Sequence, residues 1–293
     1  AMPLFAAMLI GDAGYGLVFT LVPALLYRRL VRAAGKAKTY LLLVIGVATL
    51  AWGILSANYF GVTPETLARA GGFTRLVDGK AVPDYDALRA GGGAWAAAGR
   101  AMIAAAPAWH EDPDQARYLL MKIAFVIGTI HLVLAHLRRA IEYAPDLRFL
   151  AEVGWAVVLG DMLVLIWYLM FIDVKQTPSA VWAVLAAGFA LPVLFGAPKR
   201  NPAARVLAGL GAALLPLLGT FSDTMSYIRL MAVGLASYYI AAAFNGLGAM
   251  LADSIGWYTV VPVLVVVFGH ALNIGLAGIA IFAHGVRLNM LEF

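Results

Sequence analysis

The sequence predicts an all-α fold, that of a polytopic helical membrane protein. Of its 293 residues, 63% are hydrophobic and only 13% are charged, whereas about a quarter of the residues in a soluble globular domain are charged. Apolar runs near the ~20-residue length that crosses a bilayer recur along the chain. The alternating pattern of an outer-membrane barrel does not appear. We therefore expect most of the chain to lie in the lipid bilayer.

Composition also argues against several kinds of chemistry. The chain has no cysteine, which excludes disulfides, thiolate metal sites and thiol catalysis. Gly14 and Gly16 open an apolar run without a preceding strand, so they do not form a phosphate-binding loop. The net charge of +5 arises from basic residues in short loops, which is typical of membrane topology. We expect no cofactor, no metal, no nucleotide site on this chain and no nucleic-acid partner.

Hydropathy and charge together predict the topology. Apolar runs give five spans before residue 200, at about 14–27, 40–57, 119–137, 149–172 and 179–197. Basic residues gather in every second loop, at 28–38, 138–148 and 198–205. The positive-inside rule places these loops in the cytoplasm and the charge-balanced segment of about 58–118 on the other side. We expect a multi-pass protein of the inner (plasma) membrane in which residues 1–293 form a single transmembrane domain.

The first residues predict an incomplete crossing. Met2–Ile10 is apolar but too short to span a bilayer, and Gly11-Asp12-Ala13-Gly14 follows as a turn or break. We expect Met2–Ile10 to be the end of an earlier crossing that forms a hairpin at Gly11-Asp12. This interpretation makes the chain a fragment of a longer polypeptide.

Two C-terminal segments are too long for upright spans. Residues 203–251 are almost continuously apolar, and as one helix they would measure roughly 70 Å against a ~30 Å hydrocarbon core. This helix must either break near Pro216 and Gly219 or lie steeply tilted. Residues 258–293 present the same problem. The sequence therefore predicts two long, tilted C-terminal helices.

Arg229 lies deep inside the first of these segments, where its side chain cannot reach either end. A charge at the bilayer centre costs ~2.5–3.5 kcal/mol on insertion scales, so such a residue indicates a functional site by default. At helical spacing Ser222, Ser226, Val233 and Ser237 share its face. The structural alternative is a salt bridge between Arg229 and an acidic residue of the same chain.

Arg287 occupies a comparable place in the last apolar segment. Asn273, Ala277, Ala280 and His284 fall on the same face at helical spacing. Arg287 lies nearer a helix end and could partly reach the interface. The sequence thus contains two membrane arginines, each on a stripe of small residues.

Motifs around these arginines resemble one family. Ser226–Ala236 resembles the "SYxRLxALxLA" motif of subunit I of V-type and archaeal-type rotary ATPases, called subunit a in eukaryotes. His284–Phe293 is similar to the family's closing "HxxRLxxxEF", and Pro3–Phe5 with Gly11–Gly16 is similar to its opening "PxFxxMxGDxGxG". Shorter matches follow in the family's order at Trp52-Gly53, Asn58–Gly61, Lys122-Ile123 and Gly128–His131.

The resemblance implies the membrane half of a stator in a proton-translocating ATPase or ATP synthase. It implies about eight helices against a ring of proteolipid subunits, each with one carboxyl, and two offset proton half-channels. It also implies that Arg229 and Arg287 face the ring, favour its deprotonated carboxyl and prevent a leak, because a guanidinium stays charged. Central-stalk and peripheral-stalk subunits would be further partners, contacted through a cytoplasmic N-terminal arm that is absent here.

Polar residues near the two arginines are candidates for the proton half-channels. They share a titratable, hydroxyl or amide side chain in or beside an apolar segment. The candidates are Asp12, His131, Asp161, Ser222, Asp223, Ser226, Ser237, His270, Asn273 and His284. Each has a structural alternative: a turn or cap for Asp12, pairing for Asp161 and Asp223, and a helix–helix hydrogen bond for each histidine.

The match to eukaryotic members of the family is incomplete. Some of them place a histidine at the position of Ser237 and a carboxylate at that of Ala277, so their channel lining cannot be transferred whole. Short loops favour a bacterial subunit. A stand-alone proton-coupled secondary transporter is the alternative function, and it predicts internal symmetry and a closed substrate cavity. A purely structural membrane anchor would not explain two deep arginines.

Overall fold

The fold is described from a computed structural model covering residues 2–77, 79–196, 202–256 and 260–285. Its helices are α1 (Met2–Ile10), α2 (Ala13–Leu25), α3 (Tyr27–Ala34), α4 (Lys36–Leu55), α5 (Pro64–Ala70), α6 (Tyr85–Ala90), α7 (Ala94–Ala105), α8 (Pro113–Tyr143), α9 (Arg148–Phe171), α10 (Ser179–Phe195), α11 (Pro202–Ile255) and α12 (Val260–Ala280). A 3-10 turn, Val174–Gln176, follows α9, and a π-helical turn, Ile281–Gly285, follows α12. Strands β1 (Thr74–Val77) and β2 (Lys80–Pro83) form an antiparallel hairpin that pairs Thr74 with Pro83.

The predicted class, an all-α polytopic membrane protein, is confirmed. Within the described ranges, five helical segments are long and apolar enough to cross a membrane: Lys36–Leu55, Tyr118–Tyr143, Arg148–Phe171, Ala203–Ile255 and Val260–Ala283. Two shorter apolar helices, Ala13–Leu25 and Ser179–Phe195, accompany them. The total of about eight membrane helices stays a prediction.

Helix α11 excludes one of the two solutions expected for the long apolar segment. It continues without a break for 54 residues through Pro216, so a break near Pro216 and Gly219 is wrong. Proline removes only one helical hydrogen-bond donor. The Thr220 hydroxyl donates to the Pro216 carbonyl oxygen at 2.9 Å. A straight helix of this length measures roughly 80 Å.

The second long segment is described only in part. Helix α12 and the π-helical turn cover Val260–Gly285. Arg287 lies outside the described residues, and the side chain of His284 is likewise not described. The second overlong helix therefore stays a prediction, because the segment continues beyond the described residues.

The chain divides into two compact units. Unit 1 combines the residues up to Leu120 with those from Leu230 onward, and unit 2 comprises Met121–Arg229. In unit 1, α1 is a core element because Phe5 through Ile10 are all buried. Helices α2 and α4 pack closely where a Cβ on Gly16 would collide with the backbone at Leu50. Helices α5, α6 and α7 form a lobe around buried Ala68, Leu88 and Ala96, which we call the extramembrane lobe because the predicted topology places it outside the membrane.

Unit 2 packs its helices at small residues. A Cβ on Gly154 of α9 would meet Pro192 of α10, and one on Gly128 of α8 would fall on the ring of Tyr227 in α11. Small residues let membrane helices approach closely, which is the usual source of packing energy between them. These contacts fix the faces on which the polar groups of unit 2 lie.

Candidate functional site

Arg229 stands at the midpoint of α11. With 54 residues in the helix, roughly 40 Å separates it from each end, a distance that no arginine side chain can bridge. Its side chain is half-buried. In the part of the chain that the structure describes, Arg229 makes no ion pair with Asp161, Asp223 or any other carboxylate. The salt-bridge alternative is therefore absent within this part of the chain.

Arg229 lies on the side of α11 that the described residues leave largely uncovered. Only 11% of the most apolar window of this helix is buried, against 44% for α9. Exposed residues recur with helical period on this side, at Gly211, Leu214, Leu218, Phe221, Ser222, Ala232, Ala236, Ala243 and Gly246. Beyond Arg229 this stripe carries mainly small residues, which allow the close approach of another helix.

The predicted stripe of hydroxyls is partly internal. Ser222 is exposed, but Ser226 and Ser237 are 5% and 7% exposed. The Ser226 hydroxyl donates to the Ser222 carbonyl oxygen at 2.9 Å, a bond within one helix turn. Asp223 is half-buried. Of the predicted set, Ser222 thus shares the open side of α11 with Arg229, whereas Ser226 and Ser237 face into the chain.

A chain of buried polar contacts connects α2, α11 and α12 in unit 1. Asn273 Nδ2 donates to the Tyr15 hydroxyl at 3.0 Å and to the Ser237 carbonyl oxygen at 2.8 Å. The Tyr15 hydroxyl lies 2.7 Å from His270 Nδ1. His270 Nε2 lies 3.1 Å from Asn245 Oδ1. We call Tyr15, Ser237, Asn245, His270 and Asn273 the buried relay.

One set of proton positions satisfies every contact in the buried relay. Since the Tyr15 oxygen accepts from Asn273, its own proton is available to His270 Nδ1. A neutral His270 then carries its proton on Nε2 and donates to Asn245 Oδ1. Asn245 Nδ2 in turn donates to the Phe60 carbonyl oxygen at 2.7 Å. The relay therefore runs from the loop at Phe60 to the backbone of Ser237.

Asp12 closes the hairpin between α1 and α2. Its carboxylate accepts from the backbone N–H groups of Tyr15, Phe60 and Gly61 at 3.1, 2.9 and 3.0 Å. The side chain is 1% exposed. These bonds cap α2 and hold the loop after α4, so the structure shows a turn and cap function. Channel lining by Asp12 stays a prediction.

The histidines and the aspartate of unit 2 have different surroundings. His131 Nδ1 lies 3.1 Å from the Tyr227 hydroxyl, and His136 Nδ1 lies 2.7 Å from Glu152 Oε2. Both contacts join neighbouring helices. Asp161 is 8% exposed, and its Oδ2 has no hydrogen-bond partner among the described residues. The pairing considered for Asp161 is thus not observed among the described residues, and its place in a half-channel stays a prediction.

Several of these groups do not stand out in the sequence. Tyr15 and Tyr227 occur within the family motifs, but nothing in the pattern assigns their hydroxyls a partner. Asn245 lies in an otherwise apolar stretch, which is the signal that could have identified it. Among the residues that the structure describes, no three His, Asp or Glu side chains cluster closely enough to hold a metal ion.

Known proteins similar to this chain agree with the motif analysis. It is 32% identical over 301 residues to V-type ATP synthase subunit I 1 of Treponema pallidum, a match that covers 99% of the chain and 43% of that protein. It is 28% identical to V-type ATP synthase subunit I of Borreliella burgdorferi, covering 99% and 44%. The chain is a homologue of subunit I of the V-type and A-type ATP synthases.

The relationship extends to archaea. This subunit I homologue is 21% identical over 308 residues to A-type ATP synthase subunit I of Methanocaldococcus jannaschii, with 99% of the chain and 41% of the relative covered. It therefore spans less than half the length of these relatives. No family model matches the chain. These relatives are named as ATP synthase subunits.

Proposed function

We propose that the chain is the stator membrane part of a V/A-type rotary ATPase or ATP synthase, and that it forms two offset proton half-channels against a ring of proteolipid subunits. One observation carries the proposal: Arg229 lies mid-helix on an open stripe and has no carboxylate partner within the described chain. An uncompensated membrane charge is costly. A carboxyl group on a neighbouring subunit would supply the missing counter-charge.

The proton chemistry follows from this arrangement. Arg229 remains protonated and favours the anionic form of an approaching carboxyl, which then releases its proton. The same positive charge opposes direct passage of a proton between the half-channels. Arg287 would act in the same way from the last apolar segment, with His284 one turn earlier in the sequence. Small residues beside Arg229 let the ring's helices pass closely.

We assign the outer half-channel to the buried relay. The relay begins at Phe60 in the loop that the positive-inside rule places outside. It reaches α11 at Asn245 and again at Ser237, about 12 Å apart along the helix axis, and Arg229 follows about 12 Å further on. The Tyr15 hydroxyl and the His270 imidazole can each release one proton while they accept another, and Asn245 and Asn273 orient these two groups by hydrogen bonds.

We assign the cytoplasmic half-channel to polar groups of unit 2. A cavity of about 270 Å³ is lined by Tyr143, Arg148, Glu152, Trp155 and Pro216, among others. It adjoins the basic loop 138–148, which the topology places in the cytoplasm. The pair of His136 and Glu152 lies beside it, and His131 and Asp161 are further candidates along the same helices.

The alternative of a stand-alone secondary transporter receives no support from the relatives, which are ATP synthase subunits. The remaining partners, central-stalk and peripheral-stalk subunits, follow from the proposed complex.

The decisive experiment replaces Arg229 by alanine in the full-length subunit within its assembled complex. We expect ATP-driven acidification of reconstituted vesicles to fall to background while the complex still assembles. Arg205→Ala, near the start of the same helix, is the matched control and should keep most of the activity. Normal proton pumping by an assembled Arg229→Ala complex would remove Arg229 from the mechanism.

A further inference from the structure

Unit 1 also contains a cavity that the proton path does not use. Its volume is about 470 Å³, within the range of ~300–1,000 Å³ typical of ligand pockets. Five aromatic side chains line it: Trp52, Tyr85, Trp109, Tyr238 and Tyr239. We call it the aromatic cavity. It lies where the extramembrane lobe meets α4, α8 and α11, at the membrane side opposite the basic loops.

The two parts of its wall differ in polarity. Membrane helices contribute apolar side chains, with Met8 from α1, Trp52 from α4 and Leu235 from α11. The lobe contributes polar ones, with Glu65 and Arg69 from α5. A ligand that fills the cavity must therefore combine a polar head with an apolar tail. Aromatic residues at such a boundary are typical of the membrane interface.

The polar end offers charges of both signs. Arg69 Nη2 lies 3.0 Å from Glu65 Oε1, and Arg69 Nε lies 3.3 Å from the same oxygen. Glu65 Oε2 makes no hydrogen bond within the described ranges of the chain. The side chains of Arg69 and Glu65 are 52% and 33% exposed, so both can be approached. A zwitterionic head offers a counter-charge to each member of this pair, whereas a head with a single charge offers one to only one of them.

Aromatic faces surround the same end. The rings of Tyr85 and Trp109 meet edge to face with centroids 5.1 Å apart. Burial, together with the nearby Glu65 carboxylate, raises the pKa of the Tyr85 hydroxyl to about 12, so this ring stays neutral at physiological pH. Neutral aromatic rings beside a carboxylate favour a cationic ammonium group, and a guanidinium favours a phosphate.

We propose that the aromatic cavity binds a zwitterionic phospholipid of the outer leaflet. Its ammonium lies at Glu65 and at the rings of Tyr85 and Trp109, and its phosphate lies at Arg69. The start of an acyl chain lies against the apolar wall formed by the membrane helices.

The test uses the full-length subunit in its assembled complex, in nanodiscs of phosphatidylethanolamine and phosphatidylglycerol. A photoactivatable phosphatidylethanolamine, with the reactive group in the acyl chain, is cross-linked and the labelled peptides are identified. We expect labelling of the peptide that contains residues 231–239. Unlabelled phosphatidylethanolamine should compete, and an equal amount of phosphatidylglycerol should not.

Two variants act on different parts of the site. Glu65→Gln with Arg69→Gln removes both charges and should reduce labelling about tenfold, because charge-assisted hydrogen bonds are lost. Ala116→Leu keeps the charges but fills the cavity, and it should reduce labelling similarly. The matched control is Arg138→Gln with Glu142→Gln, another pair at this helical spacing, 3.2 Å apart, which lines no part of the cavity.

Each outcome of the labelling experiment either supports or overturns the proposal. Labelling that survives both variants at the control level would overturn the proposal. Equal competition by phosphatidylglycerol would show an apolar groove without headgroup selection, and this also overturns it. Equal competition by soluble phosphorylethanolamine would show that a soluble zwitterion is the ligand and would overturn the assignment to a lipid. If the charge variant does not assemble, Ala116→Leu alone decides.

Discussion

Replacing Tyr15 by phenylalanine tests the buried relay with the smallest possible change. The substitution removes one oxygen, which accepts from Asn273 Nδ2 at 3.0 Å and lies 2.7 Å from His270 Nδ1. The ring keeps its edge-to-face contacts with Phe60 and His270, at centroid distances of 5.4 and 5.8 Å. The packing is thus preserved while the polar path is interrupted at its centre.

The size of the effect follows from the two hydrogen bonds that the substitution removes. A hydrogen bond between membrane helices contributes ~0.6 kcal/mol on average, so two give ~1.2 kcal/mol. A buried polar group left without a partner costs ~1–3 kcal/mol. Asn273 keeps its bond to the Ser237 carbonyl oxygen, and only His270 Nδ1 loses its sole partner. We expect unit 1 to be destabilised by about 1–3 kcal/mol.

The same change should slow proton transfer. If the barrier of the path rises by an amount in this range, each ~1.36 kcal/mol reduces the rate tenfold, so pumping should fall by about 10–100-fold. ATP-driven acidification of vesicles that contain the assembled complex measures the rate, and thermal unfolding of the same preparation measures stability. Tyr59→Phe is the control, because it removes a tyrosine hydroxyl in the same loop region that makes no described hydrogen bond.

A loss of stability without a loss of pumping would refute the relay. A Tyr15→Phe complex that melts at a lower temperature yet pumps at the rate of the Tyr59→Phe control would make Tyr15 a packing residue, and protons would take another path. A complex that pumps slowly at unchanged stability would strengthen the assignment, since the defect would then lie in transfer itself.

Two further predictions address packing and topology. Gly128→Ala should destabilise unit 2 by about 1–3 kcal/mol, because the added Cβ falls on the ring of Tyr227. Gly160→Ala, with no atom within 4 Å of the added Cβ, should be neutral or stabilising, and equal thermal shifts for both variants would contradict the packing argument. Single cysteines introduced at Ala34 and Ala70, both exposed, should react with an impermeant maleimide from the cytoplasmic and the outer side respectively. Labelling of both from one side would overturn the topology.

The fold class was predictable because it depends on composition averaged over long windows. Hydropathy and charge together predicted the loops 138–148 and 58–118, and α9 and α10 begin and end within two residues of the expected spans 149–172 and 179–197. The prediction for the third span, 119–137, was less accurate, because α8 runs from Pro113 to Tyr143. The first span was close to the expected 14–27, since α2 covers Ala13–Leu25 and α3 begins at Tyr27.

The continuity of α11 could not be decided from the sequence. Pro216 and Gly219 are individually unfavourable in a helix, but their cost is local, ~3 and ~1 kcal/mol relative to alanine. In a membrane, breaking the helix would expose further unsatisfied backbone groups at several kcal/mol each. An uninterrupted helix thus has the lower free energy. Helix propensity alone does not predict this, because it includes the local cost of Pro216 and Gly219 but not the cost of backbone groups exposed at a break.

The buried relay was only partly predictable. His270, Asn273 and Ser237 were identified because a polar side chain in an apolar segment is informative by itself. Their connection was not, since Tyr15 and His270 are 255 positions apart in the chain. Only tertiary packing brings the turn after Asp12 against α12. The distance between Tyr15 and His270 in the folded protein cannot be inferred from a single sequence.

The hairpin at Asp12 connects the structural and the proposed functional parts of unit 1. Asp12 Oδ1 accepts from the backbone N–H of Tyr15, the residue whose hydroxyl stands at the centre of the relay. The Asp12 carboxylate also holds the N–H groups of Phe60 and Gly61, next to the carbonyl at which the relay begins. One buried carboxylate therefore fixes the loop end of the relay and its central residue together. The two Tyr15 hydrogen bonds are only 2.7 and 3.0 Å long. A shift of this turn by about 1 Å would therefore break them and interrupt the relay, just as a misplacement of about 1 Å disables other precisely positioned groups.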